Sequence, residues 1–197
     1  MRSKRKLYLL FLFSAVSVFG FAQNKNLSGS WRFQSIINVG FLEGQAGSAF
    51  QLQTINGAVY KSWFAGIGLG LDYYRFRTIP LFLDIRKEFG SGNNRVFIYA
   101  DGGISFSWVT DQQKLGYTDD HFSNGFYDDL GLGYKAMVGR KNAVSISLGY
   151  SYKKLTESYS TYYYYPQGYP PGPMGSDPKE EINYSLNRLS IKMGWMF

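Results

Sequence analysis

The chain has 197 residues, of which 21 are Lys or Arg, 14 are Asp or Glu and none is Cys. Four basic residues lie within the first six positions, so the rest of the chain carries 17 basic and 14 acidic residues, a net charge of +3 that gives no reason to expect a nucleic-acid partner. The absence of Cys excludes both disulfide bonds and a lipid anchor on an N-terminal cysteine.

The N-terminal segment has the three parts of a secretory signal peptide. Basic residues between positions 2 and 6 precede an apolar run at 7–13, and Gly20-Phe21-Ala22 supplies small residues for a cleavage site. This run is too short to span a bilayer, which argues against the alternative of an N-terminal membrane anchor. We therefore predict a signal peptide at residues 1–22 and a single mature domain at residues 23–197.

Eight segments after residue 22 alternate apolar and polar residues, a period of two that is typical of β-strands with two different faces. They span residues 31–43, 48–55, 63–73, 79–89, 96–109, 126–138, 143–153 and 186–197. No apolar run in this part of the chain is long enough for a membrane helix. An even number of strands can close on itself, as it must in lipid, which cannot satisfy an open sheet edge. The sequence therefore predicts an all-β protein, an eight-stranded antiparallel up-and-down transmembrane β-barrel.

The connections between these segments fall into two groups. Three are short and rich in Gly, Asn or basic residues, as hairpin turns are, and lie at 56–57, 90–95 and 139–142. The others lie at 43–47, 75–78, 110–124 and 155–181, so both long connections fall on the same side of the sheet. Short periplasmic turns with longer outer loops are typical of outer-membrane barrels, and we expect both chain termini on the periplasmic side.

The apolar face of the strands carries aromatic residues at both ends. One set lies at the expected periplasmic ends (Trp31, Phe33, Trp63, Phe89, Trp195 and Phe197) and one at the expected outer ends (Phe41, Tyr73, Phe106, Trp108, Tyr150 and Tyr152). Amphipathic rings prefer the two water–lipid boundaries. A soluble β-sandwich or lipocalin-like barrel is the alternative, but it would pack its large aromatic residues inside.

The last strand runs in strict alternation into a phenylalanine, with Leu189, Ile191, Met193, Trp195 and Phe197 on its apolar face. This ending resembles the C-terminal signal of Gram-negative outer-membrane barrels, and the mature chain resembles the small eight-stranded barrels of the OmpA/OmpX type. The resemblance implies an outer-membrane location, with Trp195 and Phe197 as the signal for the barrel assembly machinery. It leaves activity open, because that superfamily includes structural proteins, adhesins and a few lipid-modifying enzymes.

The polar face carries charges that are expected to point into the barrel: Asp72, Asp84, Glu88, Asp101 and Asp129 against Arg86, Lys135, Arg188 and Lys192. Eight strands enclose only enough room for side chains, and a buried network needs nearly balanced charge. We predict a salt-bridge network of Asp84, Arg86, Asp101, Lys135, Arg188 and Lys192 that leaves no open pore. An ion path or an acid–base site is the alternative.

Depth along the strands refines this prediction. Counting from the periplasmic strand ends places Lys135 and Lys192 at the depth of Asp84 and Asp101, so either aspartate is the expected partner of Lys192. Inward glycines of strands three, six, seven and eight are expected to make room for these long side chains.

The segment His121-Phe122-Ser123-Asn124 resembles the His-x-Ser-Asn core of the outer-membrane lipid A 3-O-deacylases. The resemblance implies His121 as the base, Ser123 as the acyl nucleophile and Asn124 as a group that holds the oxyanion. The chain departs from that family because Lys135 stands where a carboxylate should orient the histidine. We interpret the segment as a polar, turn-forming loop, with acyl hydrolysis as the alternative function.

Residues 159–178 combine tyrosines with five prolines and three glycines, and the tyrosines include Tyr162, Tyr163, Tyr164, Tyr165 and Tyr169. Proline prevents strand pairing, and tyrosine supplies amphipathic contact area at little entropic cost. We interpret this segment as a surface recognition loop, with a flexible loop stacked on the barrel rim as the alternative.

These features together predict a non-enzymatic outer-membrane barrel with a structural or surface-binding, adhesin-like role. The expected partners are outer-membrane lipid and lipopolysaccharide, the barrel assembly machinery, and an extracellular glycan or protein. We expect a monomer without cofactor or bound metal, because the sequence has neither metal-ligand spacing nor a nucleotide or phosphate fingerprint.

Overall fold

The computed structural model describes residues 31–110, 118–139, 141–160 and 179–197. Its strands are β1 (Arg32–Gly44), β2 (Gly47–Tyr60), β3 (Trp63–Asp72), β4 (Thr78–Phe89), β5 (Asn94–Ser107), β6 (Thr118–Ser123), β7 (Gly125–Val138), β8 (Asn142–Ser160) and β9 (Lys179–Met196). No helix in these ranges is long and apolar enough to cross a bilayer.

The strands form one closed antiparallel ring. Each of β1 to β5 pairs with its sequence neighbour, β5 pairs with β7, β7 with β8, β8 with β9, and β9 returns to β1. The short β6 pairs with the same edge of β8 as β7 does, so β6 and β7 together occupy one strand position, with a break at Asn124. The ring therefore has eight strand positions, and the predicted eight-stranded up-and-down barrel is confirmed.

The outer surface of the barrel is apolar and exposed. Leu83 and Met193 are each 62% exposed and Ile67 is 60% exposed, although a soluble protein would bury such side chains. The alternate residues of the same strands point inward and are mostly polar, charged, glycine or aromatic. This distribution is that of a transmembrane barrel and rules out the soluble alternative.

We call the end of the barrel that carries Arg32 and Met196 the base and the opposite end the rim. Turns at the base are short: β4–β5 turns at residues 90–93 and β7–β8 at residues 139–141, as predicted. At the rim, β1–β2 and β3–β4 are joined by residues 45–46 and 73–77, while residues 161–178 join β8 to β9.

The predicted turn at Asn56-Gly57 is wrong, because β2 continues to Tyr60 and the turn is Lys61-Ser62. Asn56 lies within the strand, where its side-chain oxygen accepts a hydrogen bond from Ser35 Oγ at 2.7 Å. Gly57 is required by the close approach of β3, since a Cβ there would lie 2.5 Å from Gly66 Cα. The glycine marks close contact between strands rather than a reversal of the chain.

Two predicted loops contain strand. Residues 118–123 form β6, β8 continues to Ser160, and β9 begins at Lys179. The β8–β9 pairing runs outward from Lys153 opposite Leu186 to Ser160 opposite Lys179, and β6 joins its β8 edge. A membrane strand needs only about ten residues. With 19 and 18 residues, β8 and β9 are longer than this. Their outer parts, residues 154–160 and 179–185, therefore form with β6 a sheet that projects beyond the rim. We call it the rim sheet.

Candidate functional site

Buried aromatic side chains fill part of the interior, with Phe64 and Phe97 toward the base and Phe82 nearer the middle. Phe64, Phe82 and Phe97 are buried and belong to one apolar cluster with Ile36 and Ile55. Their rings lie against inward glycines: a Cβ at Gly66 would come within 2.8 Å of the Phe64 ring, and one at Gly68 or Gly133 would meet the Phe82 or Phe97 ring. These glycines make room for rings rather than for the long charged side chains that the sequence suggested.

Three aspartates lie side by side on adjacent strands in the middle of the barrel. Asp84 is in register with Asp101, and Asp101 is in register with Asp129. Arg86 binds Asp84 through two nitrogens, with Nη2 at 2.7 Å and Nε at 2.9 Å from the carboxylate oxygens. Buried carboxylates require such partners, because burial removes the water that would otherwise solvate their charge.

Lys192 is the second cation of this group, which we call the central cluster (Asp84, Arg86, Asp101, Asp129 and Lys192). Its Nζ lies 3.1 Å from Asp129 Oδ2 and 3.5 Å from Asp101 Oδ2, and Gly40 opposite it leaves space for the lysine stem. The Tyr99 hydroxyl donates to the other Asp129 oxygen at 2.8 Å. Asp129 is therefore the nearest partner of Lys192, and the alternative partner Asp84 is held by Arg86.

A second group of charges lies nearer the rim and consists of Asp72, Lys153 and Arg188, all fully buried. Arg188 forms an ion pair with Asp72 and donates to Ser151 Oγ at 2.6 Å, while Lys153 Nζ lies 3.1 Å from Asp72 Oδ2. We call this the rim-side cluster. Lys153 is not among the interior charges predicted from the sequence. The signal was present, because Lys153 follows Ser147 and Ser151 on the inward face.

Lys135 lies near the base, away from the central cluster. Its Nζ is 2.6 Å from Glu88 Oε1, and Arg95 holds the other oxygen of the same carboxylate at 2.9 Å. The prediction that Lys135 shares the depth of Asp84 and Asp101 is therefore wrong. Lys135 is in register with Arg95 at the start of β5, six residues closer to the base than Asp101.

Apolar side chains cluster on the rim side of the interior. The β3–β4 loop turns inward and buries Tyr74 and Phe76, which pack with Phe122, Leu155 and Leu186. Lys153 Nζ donates to the carbonyl oxygens of Tyr74 at 3.0 Å and Phe76 at 3.1 Å. One buried lysine thus fixes the path of the loop across the mouth of the barrel. We call the five apolar residues the rim cap.

The His-x-Ser-Asn segment lies on β6 and at its end. His121 is exposed and Ser123 half-buried on one face, while Phe122 between them points into the rim cap. The Asn124 side-chain oxygen accepts the backbone N–H of Ser107 at 3.2 Å, which links the interruption between β6 and β7 to the end of β5. The carboxylates of the central and rim-side clusters lie inside the barrel and do not face His121.

The remaining predicted residues lie at the two ends. Trp195 and Phe197 are exposed on the outer surface at the base, and the Phe197 backbone exchanges two hydrogen bonds with Ser35 at 2.8 and 3.0 Å. Tyr162, Tyr163, Tyr164, Tyr165 and Tyr169 lie outside the described residues. In the described ranges, no group of three His, Cys, Asp or Glu side chains could hold a metal ion.

No protein-family model matches the chain, and no curated protein matches its sequence. Among solved structures, the crystal structure of Neisserial surface protein A (NspA) is similar with a TM-score of 0.52 at 12% identity, over 84% of this chain and 95% of that one. The solid-state NMR structure of outer membrane protein AlkL in DMPC bilayers gives 0.48 at 11% identity, over 89% and 97%. A de novo designed transmembrane β-barrel gives 0.38 at 11%, over 88% and 100%.

The similarity to NspA concerns the fold. Combined with the closed ring and the apolar outer surface, it identifies the class of this protein as an integral outer-membrane β-barrel of the small eight-stranded type. The architecture and the outer-membrane location predicted from the sequence agree with this class.

Proposed function

We propose that this protein is a non-enzymatic outer-membrane barrel with a closed interior, which acts through the surface that it presents beyond the rim. The observation that carries the proposal is the contrast between the two parts of the molecule. Side chains occupy the interior from the base to the rim cap, whereas three strands continue outward as the rim sheet. A barrel of this kind offers its exterior, and not a channel, to other molecules.

The size of the ring and the side chains within it support the proposal of a closed interior. A barrel of eight strands has a lumen that side chains can fill. Aromatic rings and the central cluster occupy the base side and the middle, the rim-side cluster lies nearer the rim, and the rim cap lies across the mouth. We expect no step conductance when the purified barrel is inserted in a planar bilayer, with a general porin as the positive control. Regular single-channel steps from the wild-type barrel would overturn the closed interior.

The surface-binding role rests on the rim sheet and on the composition of the segment that it carries. Residues 161–178, rich in Tyr and Pro, connect the ends of β8 and β9, whose last paired residues are Ser160 and Lys179. These paired ends lie farther along β8 and β9 than Leu155 and Leu186 of the rim cap, which supports a role for the segment at the surface. Exposed aromatic clusters at such positions mark interaction sites for glycans, lipopolysaccharide or protein.

The register of the hairpin allows a sharp test. Because Ser160 and Lys179 face each other, replacing residues 161–178 with Asn-Gly closes β8 and β9 with a two-residue turn and leaves the barrel intact. We expect cells that display the wild-type protein to bind arrayed glycans, lipopolysaccharide or immobilised extracellular proteins, and cells with the shortened hairpin to lose that binding. A full-length variant with Ser at Tyr162–Tyr165 separates the tyrosines from loop length. Binding that persists in the shortened form would overturn the role.

Acyl hydrolysis is the second candidate, and the placement of His121 and Ser123 on one face of β6 is the observation that favours it. Against it, Asn124 has a structural partner in Ser107, and the described interior carboxylates face the lumen. We expect the mass of lipid A from expressing cells to be the same for the wild type, Ser123→Ala and an empty vector. Loss of one acyl chain with the wild type but not with Ser123→Ala would establish the enzyme.

A further inference from the structure

Two lysines at the base lie on the outer surface beside aromatic rings. Lys61 Nζ lies 5.3 Å from the centre of the Tyr60 ring, and Lys87 Nζ lies 4.7 Å from the centre of the Trp63 ring. Trp31 stacks on Tyr60 at 4.9 Å and completes the group. The group therefore combines two cations with three amphipathic rings on the first four strands.

The turn between β2 and β3 holds this group together. Lys87 Nζ donates to Ser62 Oγ at 2.6 Å, and the backbone N–H of Glu88 donates to the Ser62 carbonyl at 2.8 Å. These bonds fix β4, and with it Lys87, against the turn that carries Lys61. They use only one of the three Lys87 donors, and the Ser62 hydroxyl proton remains able to reach an acceptor.

The two ammonium groups have no carboxylate partner among the described residues. Glu88, the nearest acidic residue in sequence, points inward and is held by Lys135 and Arg95. Two unpaired cations and a hydroxyl on one surface attract an anion that brings several oxygens, such as a phosphate group.

The conformation of Lys61 is a second and independent observation. Its φ angle is 56°, a left-handed conformation that Gly or Asn adopts more easily than Lys. The chain therefore places a lysine where a turn by itself would favour another residue. A requirement for the charge at this position explains that choice.

The level of the group in the membrane identifies the anion. Trp31 and Trp63 are 68% and 52% exposed on the outer surface at the end of the apolar band, where rings lie at the water–lipid boundary. Phosphate groups of membrane lipids lie at this level, and long basic side chains extend to reach them.

We propose that Lys61, Ser62 and Lys87, with the rings of Tyr60 and Trp63, form a binding site for the headgroup of an anionic glycerophospholipid such as phosphatidylglycerol. The two lysines bind the phosphate and the rings pack against the glycerol and the upper acyl chain. The site depends only on the location of the barrel in a bilayer and is independent of what the rim sheet binds.

Native mass spectrometry of the folded barrel in detergent with equal amounts of phosphatidylglycerol and phosphatidylcholine tests the site. Both lipids carry a phosphate, so a preference reports net negative charge. We expect the wild type to retain phosphatidylglycerol preferentially, and K61N/K87Q to reduce that preference on the order of tenfold. Asn accommodates the left-handed turn at position 61, and heat-modifiable mobility on gels verifies that the variant is folded.

Two variants complete the test. K154Q/K179Q removes two exposed lysines at the rim and is expected to leave the preference unchanged. Lys87→Arg keeps the charge and is expected to retain the lipid. It therefore tests the site with a second variant if K61N/K87Q folds poorly. An unchanged preference in K61N/K87Q, an equal loss in the rim control, or no preference in the wild type would overturn the proposal.

Discussion

The ammonium group of Lys153 lies 3.1 Å from a carboxylate oxygen of Asp72, and both side chains are fully buried. The same Nζ donates to the carbonyl oxygens of Tyr74 and Phe76 and to Thr78 Oγ1. Lys153 thus joins a strand on one side of the barrel to the loop that carries two members of the rim cap. Removing its charge affects both an ion pair and the path of that loop.

We expect Lys153→Met to lower the free energy of unfolding by about 2–3 kcal/mol, because Asp72 keeps only Arg188 as its cation. Release of the β3–β4 loop should also speed trypsin cleavage after Arg75 and Arg77. Urea unfolding followed by Trp fluorescence and timed proteolysis measure the two effects. The adjacent Lys154→Met, which alters an exposed lysine, is the control, and equal behaviour of the two variants would contradict the role of Lys153.

Lys192→Met should destabilise the barrel by about 3 kcal/mol, since it leaves Asp129 and Asp101 without their shared cation. Adding Asp129→Asn should recover part of the loss in urea unfolding, because the unpaired charge is then removed. Adding Asp84→Asn should recover none, since Arg86 is its partner. Recovery with Asp84→Asn but not with Asp129→Asn would show that Asp84, and not Asp129, is the partner of Lys192.

The alternation of residues predicted which face each strand buries, and for that reason the ring, the apolar exterior and the inward charges could be predicted. The partners of those charges could not, because alternation gives the face of a residue and not its depth. Strands in a barrel are tilted and staggered, so equal counts from the strand ends do not give equal depth. Lys135, which binds Glu88 and not the central aspartates, shows the size of that error.

Local turn signals were the other source of error. Asn56-Gly57 has the composition of a hairpin turn, yet its glycine serves the close contact between β2 and β3. The true turn uses Lys61-Ser62, which has no turn signature in its sequence. Tertiary contact decided both positions, and contact between strands cannot be predicted from a window of neighbouring residues.

Gly102 and Gly103 are adjacent in β5 and offer a matched pair for testing the packing of the interior. A Cβ at Gly103 would lie 2.6 Å from Phe82 Cα and would also meet the backbone of Leu81, whereas one at Gly102 would meet nothing within 4 Å. We expect Gly103→Ala to cost about 1–3 kcal/mol of unfolding free energy and Gly102→Ala to be neutral or slightly stabilising. Equal urea midpoints for the two variants would contradict the close contact.

Phe197 forms backbone hydrogen bonds with Ser35, and its ring is predicted to be the assembly signal; two variants separate these contributions. Deletion removes both its ring and the backbone hydrogen bonds with Ser35, whereas Phe197→Ala removes the ring alone. If the assembly machinery recognises the ring, both variants should lower the amount of folded barrel in the outer membrane of cells. Refolding of purified chains into lipid vesicles should be impaired by the deletion only. Wild-type levels of Phe197→Ala in cells would show that the ring is not the signal.

The orientation of the barrel can be measured directly because the chain contains no cysteine. Lys179→Cys places a thiol at the end of the rim sheet, and Ser91→Cys places one in the β4–β5 turn at the base; both positions are exposed. With the termini in the periplasm, a membrane-impermeant maleimide added to whole cells should label Lys179→Cys and spare Ser91→Cys. Lysed cells should show labelling of both, which serves as the control for reactivity. The opposite pattern in whole cells would invert the topology and remove the basis for a surface-binding role.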